Sequence, residues 1–131
     1  MKKLTIFFFL FTNIIIAQKQ NFSNPDKKTN CKMMKNGTFL NKDLTYAQYH
    51  MVIKNGIQTE YIENGYIIKS KMEFLNECEY KLTVLENTIP KHFIKAGDFL
   101  TTKILQTQGK QIKIKSTMFG KAHELYFIKM K

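Results

Sequence analysis

Arginine is absent from the 131 residues, so all 21 basic side chains are lysines. Proteins that read nucleic acid rely on the guanidinium fork, which grips phosphates and base edges through two parallel hydrogen bonds. Its absence argues against nucleic acid as a partner, even with a formal charge of +11. Solvated surface lysines account for the same excess. Cysteine is scarce, with Cys31 and Cys78 alone. Two thiolates do not fill a four-ligand zinc site, and no histidine stands at ligand spacing from either. His50, His92 and His123 fall in separate segments without H-x-x-x-H or H-E-x-x-H spacing. Ser23, Ser70 and Ser116 lack the G-x-S-x-G context of a nucleophile elbow. Glu60, Glu63, Glu73 and Glu124 supply carboxylates, but nothing in their spacing pairs two across one cleft. A glycine-rich phosphate loop is missing, and no stretch carries a helical period. No catalytic, metal or cofactor residue is therefore expected, and the expectation is a non-enzyme.

The long apolar run is short by membrane standards. Leu4 to Ile16 is interrupted only by Thr5, Thr12 and Asn13, follows Lys2 and Lys3, and ends at the small residue Ala17. A spanning helix needs roughly 20 apolar residues. The pattern predicts a cleaved secretory signal over 1–17 and a secreted or periplasmic location. Without Lys2 and Lys3 the charge of +11 falls to +9. Residues 18–30, QKQNFSNPDKKTN, are polar, contain Pro25 and lack periodicity, which predicts a flexible leader. Export exposes Cys31 and Cys78 to oxidant. Their one intramolecular pairing would enclose 46 residues, worth roughly 4 kcal/mol through chain entropy in a domain with a limited core. Free thiols or an intermolecular bridge are the alternatives.

From Cys31 onward the pattern is that of strands. Tyr46 to Lys54 is rich in aromatic and branched residues, and Asn55-Gly56 follows. Ile57 to Ile62, Asn64-Gly65 and Tyr66 to Leu75 repeat the arrangement. Asn-Gly between alternating runs marks a tight hairpin, because a type I′ turn needs positive φ at both central residues. Cys78, Tyr80, Leu82 and Val84 then alternate with Glu79, Lys81 and Thr83. Pro90 and Gly97 predict one short helical turn near 90–96. Phe99 to Gln106, Gln111 to Lys115 and Glu124 to Met130 complete the strands, with a short one at Thr38 to Leu40. About eight short strands at this spacing predict an all-β antiparallel meander. A small closed or partly open barrel, lipocalin-like in its up-and-down order, would remove the exposed edges.

Four short motifs follow one another in residues 31–131: C-x5-G-x-F (Cys31, Gly37, Phe39), Q-x-E (Gln58, Glu60), C-x-Y-x-L (Cys78, Tyr80, Leu82) and G-D-x-L (Gly97, Asp98, Leu100). In their order and spacing the chain resembles a group of small secreted Bacteroidetes (flavobacterial) proteins of unknown function. Lys54 and Phe74 stand where such proteins often carry Arg and Trp. The resemblance implies a secreted, disulfide-linked β domain and supplies no catalytic residue. Gln58 and Glu60 share one face of their strand, opposite Ile57, Thr59 and Tyr61. A solvated face is expected, as is common in antiparallel sheets. On an inner face they would need partners such as Lys54, Lys69 or Tyr66. The expected role is a non-catalytic binding or cell-envelope accessory module, with a small ligand, glycan or envelope protein as partner. The alternative is a small periplasmic enzyme working at the barrel mouth.

Overall fold

The computed structural model describes residues 22–130. The expected signal segment 1–17, the first residues of the expected leader and Lys131 lie outside them. Eight antiparallel strands follow one another: β1 (Gly37–Asn41), β2 (Tyr49–Lys54), β3 (Ile57–Ile62), β4 (Tyr66–Asn76), β5 (Glu79–Asn87), β6 (Phe99–Gln108), β7 (Gln111–Met118) and β8 (Lys121–Lys129). Each pairs with the next, and β8 returns to β1 through Phe39↔Lys129, Leu40↔Ile128 and Asn41↔Phe127. The all-β meander thus closes into a barrel, and closure leaves no unpaired edge.

Turn chemistry fixes the hairpins. Asn55 and Gly56 have φ of 53° and 75°, so the two-residue turn expected there forms. The second Asn-Gly pair makes a longer connection. Ile62 pairs with Tyr66, and Glu63–Gly65 forms a short 3₁₀ turn with Asn64 and Gly65 at φ of 76° and 82°. The helical turn expected near 90–96 is absent. That segment is an irregular connection organised by the Asn87 side chain, which accepts the Ile89 N–H and donates to the Ile94 carbonyl. A helical turn would send the Ile94 N–H to the Pro90 carbonyl, but that N–H donates to His92 Nδ1 at 3.2 Å, and Lys91 has a left-handed φ of 54°.

The inner face is apolar at both ends. Cys31–Lys35 forms a 3₁₀ turn before β1, and its Met34 is fully buried in the same cluster as Phe39 and Ile53. At the opposite end Ile89 and Ile94 of the β5–β6 connection are buried with Met118. Cys31 and Cys78 are joined, with Cα atoms 5.2 Å apart, so the bridge ties the 3₁₀ turn to the β4–β5 hairpin. Residues 22–30, expected to be a flexible leader, run along β6. The Asp26 N–H donates to the Thr107 carbonyl at 2.8 Å, and the Thr107 hydroxyl donates to the Asp26 carboxylate at 2.7 Å while accepting the Asn30 N–H at 2.9 Å. Among the described residues no helix is long and apolar enough to cross a membrane.

Candidate functional site

Gln58 and Glu60 point into the barrel, not into solvent, and both are buried. Register explains this. Glu60 stands between Met51 and Ile68, and Gln58 between Ile53 and Ser70, all buried inner-face positions. The outer face of β3 instead carries Tyr61, whose ring stacks on His50 with centroids 4.9 Å apart; His50 in turn stacks on Tyr46 at 3.7 Å. The apolar-looking face of β3 is therefore the exposed one.

The partners of the inner pair differ from those expected. The Tyr49 hydroxyl donates to Glu60 Oε1 at 2.5 Å, and Gln58 hydrogen-bonds the same carboxylate. Lys54 is exposed beside the β2–β3 turn, and Tyr66 is half-buried at the start of β4. Neither lines the interior cavity, so of the four expected residues only Gln58 and Glu60 meet. Across the barrel the Tyr80 hydroxyl is hydrogen-bonded to Thr102, whose hydroxyl lies 2.9 Å from that of Ser116. Ser70 lines the same space.

Electrostatics follow from burial. Removal from water raises the Glu60 pKa from its ordinary 4.5 to about 7, against the opposing pull of hydrogen bonds from Tyr49 and Gln58. Burial also pushes the Tyr49 and Tyr80 phenols up, and the Glu60 charge adds to both. Both tyrosines therefore remain hydroxyl donors, and Glu60 changes charge near neutral pH.

The space between these groups is small. The interior cavity measures about 40 Å³, room for on the order of two water molecules. Ligand pockets for drug-sized molecules run to roughly 300–1,000 Å³. An eight-stranded barrel is just wide enough for side chains to fill, and Met51, Leu82, Ile94, Ile114 and Phe127, all turned inward, border the space that remains. The lining holds one carboxylate and no histidine. Among the described residues no group of three or more His, Cys, Asp or Glu side chains is placed to hold a metal ion.

Sequence reasoning named Tyr80 only in a motif and a strand alternation, rejected Ser116 as a nucleophile, and made neither Tyr49 nor Thr102 a site residue. Tyrosines and threonines are ordinary strand residues, and only the inter-strand register brings these four together. Comparison with protein-family models, curated proteins and solved structures finds no match to this chain.

Proposed function

We propose that the protein is an exported, non-catalytic binding or cell-envelope accessory module that makes its contacts with its outer surface and loop ends. The observation that supports this most is the filled interior, whose 40 Å³ cavity leaves no place for a substrate among the inner side chains. A tightly packed barrel with a cross-link at one end is a stable carrier for surface groups. The cross-link also suits an oxidising compartment.

The alternative, an enzyme at the barrel mouth, draws on Glu60, a carboxyl with a pKa of about 7 and so suited to proton transfer. General acid–base chemistry usually needs a second converging group, and beside Glu60 the cavity lining supplies Gln58 and the hydroxyls of Tyr49, Ser70, Tyr80, Thr102 and Ser116, but no second carboxyl or imidazole. Sedimentation with isolated bacterial envelopes tests the choice. Saturable retention, unchanged in E60Q, is expected. An unretained protein contradicts the accessory role, and a turnover abolished by E60Q establishes the enzyme.

A further inference from the structure

The barrel end carrying the β5–β6 and β7–β8 connections shows three aromatic rings to solvent. Phe93, Phe99 and Phe119 are 40%, 54% and 60% exposed. Phe93 and Phe119 approach to 6.0 Å between ring centroids. Phe99 and Phe119 each lie two residues beyond the paired Thr101 and Thr117, so all three belong to one edge of the barrel.

Their exposure is built into the backbone. Phe119 has φ of 52°, in the left-handed region that bulky side chains avoid. The other described non-glycine residues with positive φ are Asn55, Asn64 and Lys91. Asparagine suits that region, and the chain uses it in the β2–β3 and β3–β4 connections. The two unsuited residues, Lys91 and Phe119, are both on the connections that bear the rings. Phe93 is also held outward by an ordered scaffold. The Asn87 side chain fixes the Ile89 and Ile94 backbone, Lys95 Nζ donates to the His92 carbonyl at 2.8 Å, and Ile89, His92 and Ile94 point inward. The two-residue β7–β8 turn between the paired Met118 and Lys121 needs a positive φ at position 119 but not a phenyl ring there, so a bulky, exposed ring at that place points to a contact made outside the chain.

The charges around the rings choose the partner. Lys91 and Lys95 flank Phe93, Lys121 follows Phe119, and Lys81 lies over the Phe99 ring at 4.7 Å. The acids on these segments are Asp98, whose carboxylate accepts the Lys95 N–H at 2.7 Å, and Glu86, set in register against Lys69. Burial, with Lys95 and Lys121 nearby, holds His92 and His123 below the ordinary imidazole range, so the lysines carry the positive field. Projecting phenyl rings ringed by lysine match an interface where acyl chains lie beneath anionic headgroups.

We propose that this end docks on a lipid bilayer containing anionic headgroups, with Phe93, Phe99 and Phe119 entering the headgroup–acyl boundary and Lys91, Lys95 and Lys121 facing the lipid phosphates. The inference rests on the envelope-associated reading, which puts such a surface within reach.

The chain has no tryptophan, so F119W introduces a single indole at the proposed contact. Vesicles of phosphatidylcholine with roughly one third phosphatidylglycerol should shift its emission to the blue, and added salt should reverse the shift. In the same full chain F93S should weaken binding about tenfold or more, as should K91E with K121E. F119N, which suits the left-handed turn, should weaken binding without lowering the unfolding midpoint. An indole reports only its own surroundings. Sedimentation with vesicles at unchanged emission would show contact through another surface and overturn the inference while leaving the envelope role intact. An equal shift with pure phosphatidylcholine would overturn the anionic preference. Retention on lipid-free cell-wall or envelope-protein fractions without vesicle binding would replace the bilayer by a glycan or protein partner. Retention on none of them would remove both the inference and the reading beneath it.

Discussion

Tyr49 donates its phenolic proton to Glu60 inside the barrel, across the β2–β3 pair and 2.5 Å from oxygen to oxygen. The bond satisfies a carboxyl group that folding strips of water. It does not fully offset that loss, which is why Glu60 binds its proton more tightly than a solvated carboxyl.

Stability should therefore decline from mildly acidic to mildly alkaline pH. The folded chain holds the Glu60 proton up to about pH 7 and the unfolded chain only to about 4.5. Between those values the native state binds more protons, so unfolding free energy falls as pH rises. The full contribution is present below about pH 4.5 and lost above about 7, on the order of 3 kcal/mol. Urea titrations across this range should show the slope in the wild type and a much flatter profile in E60Q. Equal slopes would remove Glu60 as the source.

Y49F tests the other half of the bond. Losing the donor leaves Glu60 with one fewer partner and should cost about 1–3 kcal/mol. The midpoint of the pH profile should also move upward, because a bond that favours the carboxylate is gone. An unchanged midpoint together with unchanged stability would mean that the hydroxyl contributes nothing to the carboxyl's environment.

The Cys31–Cys78 bridge holds the 3₁₀ turn carrying Met34 against the β4–β5 hairpin. Replacing both cysteines by serine should lower stability by about 2–4 kcal/mol. Intact mass should rise by two hydrogen atoms on reduction, and an unchanged mass would refute the bridge.

Phe119→Asn should have the opposite sign. Relief of a left-handed backbone at a bulky residue should raise stability by about 1 kcal/mol, read as a higher denaturant midpoint. A lower midpoint would show that Phe119 serves the fold, not a contact outside it.

Legibility in the sequence followed the physics of each signal. Asn55-Gly56 announced its turn because few dipeptides tolerate two successive positive φ angles, and the alternation of Tyr80, Leu82 and Val84 announced an inner face that the structure confirms as buried. Gln58 and Glu60 misled because composition alone decided their face. In a closed barrel a strand's orientation is set by its neighbours, and Met51 and Ile68 fix Glu60 inward whatever its polarity. The expected helical turn near Pro90 failed for a local reason, since Lys91 takes a left-handed φ of 54° and the Ile94 N–H goes to the His92 ring. The contact of residues 22–30 with β6 depends on Asp26 meeting Thr107 and Gly109, more than 80 residues away, a distance no local pattern reports.

The barrel interior is a packed core with about 40 Å³ of free space, not an open cup. The chemical shift of the Glu60 carboxyl carbon, followed by NMR through a pH titration of the folded protein, tests it most directly. A midpoint near 7 is expected of a carboxyl held in that core. A midpoint near 4.5, the value of a carboxyl in water, would mean that solvent fills the interior and would contradict it.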